Sequence, residues 1–109
     1  MINNNLSEQK CQVCEVGAPP MTQASIDEHL AQVPAWTQIE NKIERVFTFA
    51  DFKEAMVFVN NVAELSEAEG HHPDIHISYS KVTITLWTHA VGGLSLNDFI
   101  LAAKIDQIA

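Results

Sequence analysis

Glu67-Ala-Glu-Gly70-His71-His72-Pro73-Asp74 is the stretch at which this chain changes its hydrophobic period. Before it, Phe52, Ala55, Met56, Val59, Val62 and Ala63 recur at the three-to-four-residue spacing of one helix face. They follow Asp51-Phe-Lys-Glu54, a capping box in which the two acidic side chains satisfy amide donors at a helix start. After it, Ile75, Ile77 and Tyr79 alternate with His76 and Ser78, the period of a strand. Gly70 can take the left-handed conformation that ends a helix without a Cβ penalty, and Pro73 disfavours helical geometry at His72. The spacing predicts a long helix stopping at Gly70 and a strand starting beyond Pro73.

Working outward, Val82, Ile84 and Leu86 alternate with Thr83, Thr85 and Trp87, so a hairpin turning near Ser80-Lys81 is expected. Trp87 falls on the threonine side of that strand, which marks a second buried surface there, a subunit contact or a pocket wall. Beyond Gly92-Gly93, Ser95-Leu-Asn-Asp98 is a further capping signature before a last apolar helix, Leu96 to about Ile108. Upstream, Ile43, Arg45, Phe47 and Phe49 alternate with Glu44, Val46 and Thr48, and Trp36 to Glu40 alternate likewise, giving a hairpin with Asn41-Lys42 at its turn. Ser25-Ile-Asp-Glu28 opens a short first helix with Ile26, Leu30 and Val33 buried, closed by Pro34. Residues 1–24, with Gly17-Ala-Pro19-Pro20, read as an irregular arm, and residues 25–109 as one domain. The order α-β-β-α-β-β-α, with short loops inside each strand pair, makes an α+β sandwich with antiparallel strands.

Composition narrows the function. With 47% hydrophobic residues in 109, the chain buries a core without disulfide or metal staples. A formal charge of −8 with only six Lys and Arg repels phosphate backbones and anionic membranes, so no nucleic-acid or membrane partner is expected. The sequence shows no secretory signal and no run long enough to span a bilayer, which reads as cytoplasmic. Cys11 and Cys14 form a single Cys-x-x-Cys without a second ligand pair or a preceding strand; idle thiols are the expectation, with zinc or redox use as the alternatives.

The chemistry gathers at the helix end. His71 and His72 leave the axis in different directions, and two nearby imidazoles resist simultaneous protonation, so one serves as base while the other is an acid. Glu67, four residues before His71, would orient a ring or favour its imidazolium. The plain alternative is that both histidines cap a helix C-terminus, where cations are favoured. His89, at the end of the last strand, would bring a third imidazole to the same edge, around one hollow. Such a trio could also hold zinc, although no His-x-x-x-His or His-x-His anchor is present. His29 and His76 read as packing or surface residues.

Glu67-x-x-x-His71-His72-Pro73, Tyr79, Thr88-His89 and Gly93-Leu94-Ser95-x-x-Asp98 together resemble the signature of the pterin-4a-carbinolamine dehydratases. Phe47-x-Phe49-x-Asp51-Phe52 and Val82-x-Ile84-Thr85-Leu86 extend the resemblance from about residue 25 to the end. It implies a four-stranded antiparallel sheet covered by helices on one face, assembly as a dimer or tetramer, a pterin substrate, and neither metal nor cofactor. It implies catalysis by His71, His72 and His89, with Glu67, Pro73, Thr88 and Asp98 at the substrate; for Asp98, capping the last helix is an equal explanation. It also carries a second expectation, an oligomerising protein-binding module that supports a transcription factor without catalysis. Two departures stand out: Gly70 where some relatives have an aspartate, and Ile75-His76 where they have an aromatic pair.

Overall fold

The computed structural model describes residues 6–12 and 16–109. Its elements are α1 (Gln23–Leu30), β1 (Thr37–Ile39), β2 (Lys42–Thr48), α2 (Phe52–Glu69), β3 (Asp74–Ser78), β4 (Lys81–Leu86) and α3 (Leu96–Ile108), with single 3-10 turns at Leu6–Glu8 and His89–Val91. The four strands form one sheet in the order β1-β2-β4-β3, every neighbouring pair antiparallel. Helix α2 therefore carries the chain over β4, from β2 to the opposite edge strand β3. The fold is the expected α+β arrangement in the expected element order.

Register sets the core. Ile43 lies opposite Leu86 and Phe47 opposite Val82, so the apolar parities of β2 and β4 share one face. That face meets Ala55, Phe58 and Val62 of α2 and Phe99, Leu101 and Ile105 of α3, all at most 5% exposed. Each such large side chain contributes roughly 1.5–3 kcal/mol of burial. No helix among the described residues is long and apolar enough to cross a membrane.

Several local expectations shift, each for a physical reason. Helix α1 begins at Gln23 because Thr22, itself a capping residue, accepts the Ser25 N–H at 3.2 Å; Ser25 is thus inside the first turn. The helix ends at Leu30, and reverse turns from Leu30 to Trp36, not Pro34, carry the chain into β1. Both hairpins turn one residue earlier than expected, at Glu40-Asn41 and Tyr79-Ser80, because Ile39 pairs with Lys42 and Ser78 with Lys81. Glu40 and Tyr79 take positive φ values of 55° and 53° to close these two-residue loops. The buried stripe of α2 is Ala55, Phe58, Val62 and Ser66, rotated from the expected one, with Phe52 half-exposed and Ala63 exposed. Phe58 decides that rotation: its ring lies 4.7 Å from Phe47 and 5.0 Å from Phe49.

The arm before α1 is irregular yet seated on the domain. Leu6 is buried, Lys104 Nζ donates to the Ser7 carbonyl at 3.0 Å, and Gln107 Nε2 to Ser7 Oγ at 2.9 Å. Further along, the Gly17 and Met21 amides donate to the Ala90 and Leu94 carbonyls, both at 2.9 Å.

Candidate active site

The C-terminus of α2, the N-terminus of β3, the C-terminus of β4 and the N-terminus of α3 meet at one end of the sheet. Gly70 ends α2 in the left-handed region, φ 69°, and the amides of Gly70 and His71 both donate to the Ser66 carbonyl. The chain thereby leaves the helix axis at His71, whose ring turns towards α3. His71 Nε2 lies 2.6 Å from Asp98 Oδ1.

Asp98 is fully buried, and both of its oxygens are filled by protein donors. Its Oδ2 accepts the Ser95 N–H at 3.0 Å, the carboxylate half of the capping box on α3, and the Thr88 hydroxyl at 2.8 Å. Thr88 Oγ1 is also 2.8 Å from Ser95 Oγ; since its one proton goes to Asp98, the Ser95 hydroxyl donates to it. With the carboxylate as acceptor, the proton of neutral His71 sits on Nε2 and Nδ1 keeps the free lone pair. One buried acid thus fixes the orientation and tautomer of one imidazole, caps one helix and ties the end of β4 to both.

His72 points elsewhere. Its Nε2 is 2.6 Å from Glu67 Oε2, and both side chains are mostly in solvent. Glu67 was expected one helical turn beneath His71; because the helix breaks at Gly70, it serves His72 instead. Pro73, partly buried, leads directly into β3.

His89 opens the 3-10 turn after β4, and paired backbone bonds between Thr88 and Gly93 close the loop that carries it. The His89 ring is exposed and lies 3.7 Å from the Trp87 ring. Trp87 Nε1 donates to Asp74 Oδ2 at 3.2 Å, and Lys42 Nζ lies 4.9 Å from its ring. Trp87 therefore lines this end of the sheet, linking the segment that carries His89 to the residue after Pro73. The three imidazoles have three different partners: a buried acid, an exposed acid and an indole.

A separate hollow lies elsewhere on the molecule. It measures about 260 Å³ and is lined by Phe49, Glu54, Val57, Phe58, Asn61 and Ile108, near the other end of α2. Among the described residues, no three His, Cys, Asp or Glu side chains group to hold a metal ion. His29 packs, as expected, its ring 5.5 Å from Phe99, while His76 is exposed on β3.

Sequence reasoning did not foresee the polar seam behind the site. Glu69 Oε1 accepts the Cys11 N–H at 2.9 Å, which holds its carboxyl below the usual value of 4.5, aided by Lys104 Nζ at 3.5 Å. Cys11 is a free thiol whose Sγ lies 3.6 Å from the Asn97 carbonyl, and burial, then the charge of Glu69, pushes its pKa to about 12. Such a thiol is a poor nucleophile and metal ligand at neutral pH. Its motif partner Cys14 lies outside the described residues. No spacing rule links residue 11 to residues 69 and 97, so only the fold reveals this seam.

The sequence pattern of the family described as pterin 4 alpha carbinolamine dehydratase matches residues 19–108. The chain belongs to that family. A protein of Marinobacter nauticus named "Putative pterin-4-alpha-carbinolamine dehydratase" is 45% identical over 109 residues, covering 96% of this chain and 98% of its own. One of the same name from Alkaliphilus metalliredigens is 45% identical over 106 residues, covering 95% and 96%. Among solved structures, a transcriptional coactivator/pterin dehydratase from Brucella melitensis superposes with a TM-score of 0.79 at 32% identity, covering 83% of this chain and 98% of its own. A pterin dehydratase-like protein identified as a RuBisCO assembly factor in the alpha-carboxysome superposes with a TM-score of 0.59 at 28% identity, covering 69% and 89%. The superposition on the Brucella melitensis protein shows a shared fold over most of both chains.

Proposed function

We propose that this protein dehydrates a 4a-hydroxytetrahydropterin to the quinonoid dihydropterin, returning the pterin to its recycling route. The observation that carries this reading is the 2.6 Å contact between His71 and a fully buried Asp98, at the edge where His72 and His89 also arrive. The reaction needs one acid and one base. The C–O bond at the tetrahedral ring carbon breaks as the hydroxyl takes a proton and leaves as water; the adjacent ring nitrogen gives up its proton, and its electron pair forms the new C=N bond. One of His71 and His72 protonates or holds the departing hydroxyl, and His89 is the partner in proton transfer. Neither step calls for a metal or cofactor.

We assign Glu67 and Pro73 to the substrate wall. Thr88 and Asp98 act through His71, because both lie buried behind it. General acid–base groups of this kind supply about a hundred- to ten-thousandfold each. The reading carries with it a cytoplasmic location, self-association as a dimer or tetramer, and no nucleic-acid or membrane partner. The test is the rate of carbinolamine dehydration by His71→Ala, His72→Ala and His89→Ala. A fall in each supports it; wild-type rates in all three would sink it.

A second reading is favoured by Phe52, Val57 and Ile108, apolar side chains that are 50%, 56% and 38% exposed near the far end of α2. On that reading the chain is an oligomerising module that binds another protein; solved relatives are described as a transcriptional coactivator/pterin dehydratase and as a RuBisCO assembly factor. A chain inert towards pterin that still holds a partner protein after His71→Ala would favour it.

A further inference from the structure

The segment around Cys11 and Gln12 precedes the family-matched region, which begins at residue 19, yet it touches the two elements that build the His71–Asp98 pair. Asn97 grips the Gln12 backbone in both directions: its Oδ1 accepts the Gln12 N–H at 2.8 Å and its Nδ2 donates to the Gln12 carbonyl at 2.5 Å. One residue earlier, the Cys11 N–H donates to Glu69 Oε1 at 2.9 Å. Asn97 immediately precedes Asp98 in α3, and Glu69 ends α2 two residues before His71. Asn97 is 6% exposed, and the Glu69 and Lys104 side chains are 8% and 15% exposed, so water competes weakly for these bonds. Lys104 adds a second tie, from Glu69 Oε2 to the Ser7 carbonyl. Leu6, at 3% exposed, seats the start of this segment in the core.

We propose that residues 6–12 form a strap that sets the distance between the end of α2 and the start of α3, and that Glu69 and Asn97 are positioning residues for the His71–Asp98 pair. The proposal rests on the dehydratase reading for its catalytic consequence. Gly70 frees His71 from its helix, and the imidazole reaches Asp98 with a single hydrogen bond. A strap that fixes both flanks removes that freedom. Misplacing a catalytic group by about 1 Å costs on the order of a hundredfold in rate, so a modest release of the strap is legible in turnover.

The experiment uses the full chain with Asn97→Ala at one end of the strap and the near-isosteric Glu69→Gln at the other, so that one remains if its counterpart misfolds. Three readouts are taken: dehydration kinetics, the alkylation rate of Cys11 followed by peptide mapping, and the downfield Nε2–H resonance of His71. The expected result is faster Cys11 alkylation, a shifted or broadened His71 resonance, and kcat lowered about tenfold or more with KM within twofold. In a His71→Ala background, Asn97→Ala should lower kcat no further, whereas a general loss of structure would lower it in both backgrounds. Wild-type kcat and an unmoved His71 resonance with Cys11 opened to alkylation would overturn the strap, as would an equal loss of kcat in the His71→Ala background. If wild-type protein fails to dehydrate the carbinolamine, the dehydratase reading falls by itself, and the His71 resonance still decides whether the strap positions the pair.

Discussion

His71 and His72 are neighbours in sequence and opposites in environment. Each has a carboxylate 2.6 Å from its Nε2, but the His71–Asp98 side chains are 12% and 0% exposed while those of His72–Glu67 are 59% and 78% exposed. Equal distances therefore conceal unequal energies. Removing one partner of a buried hydrogen bond costs about 1–3 kcal/mol, and more where several bonds are lost at once, whereas an exposed ion pair is worth roughly 0–1 kcal/mol. The contrast teaches that the inner histidine is held by the fold and the outer one is held mainly by its neighbours in the chain. An imidazole with a fixed tautomer thus stands beside one open to exchange with water.

The largest effect is expected from Asp98→Ala, which strands the Thr88 hydroxyl, the Ser95 amide and the His71 ring at once. Urea unfolding should show a loss of about 3–5 kcal/mol, together with a fall in dehydration rate; a loss under about 1 kcal/mol would erase the distinction between the two walls. Next, His71→Ala should lower the rate by about a hundredfold or more and also destabilise the fold by about 1–3 kcal/mol, because it leaves a buried acceptor unpaired. His72→Ala should lower the rate with stability changed by less than about 0.5 kcal/mol, so paired denaturation and kinetics on the two variants separate the environments.

A smaller effect concerns pH. Glu69 has its folded pKa held below 4.5, chiefly by the Cys11 N–H, so its stabilising contribution is present above 4.5 and is lost as pH falls through the lower folded value. Glu69→Gln should therefore flatten the acid limb of the stability curve below about pH 4.5, read by urea midpoints at successive pH values; an unchanged limb would contradict the tie to the arm. Smallest of all, raising salt to about 1 M should leave the His71 ring resonances unmoved while moving those of His72, since only the exposed pair is open to screening.

Much of the architecture is legible in the chain. The change of period at Gly70-His71, the capping signatures at Asp51 and Ser95 and the alternation in Val82–Leu86 are local signals, and local backbone physics reads them directly. The strand parities were right even where the turns fell one residue off, because parity is set by which side chains are apolar, whereas the turn falls on whatever residues the register leaves over. The α2 stripe was misjudged because periodicity gives a face to within about a residue, and the partner surface, here Phe47 and Phe49 against Phe58, chooses the final rotation.

The site divides in the same way. Sequence by itself put His71, His72 and His89 forward, as titratable side chains at a helix stop and a strand end, and marked Asp98 as a capping acid. Tertiary structure alone decided that Asp98 also receives His71, that Glu67 serves His72, that Trp87 carries His89, and that Cys11 and Gln12 bind the flanks of the buried pair. Those contacts join residues 27 to 86 positions apart, apart from the local Glu67–His72 and Trp87–His89 pairs. Local propensity holds no information about such distances; they are fixed when the apolar faces of the sheet and helices close and bring the four element ends to one edge.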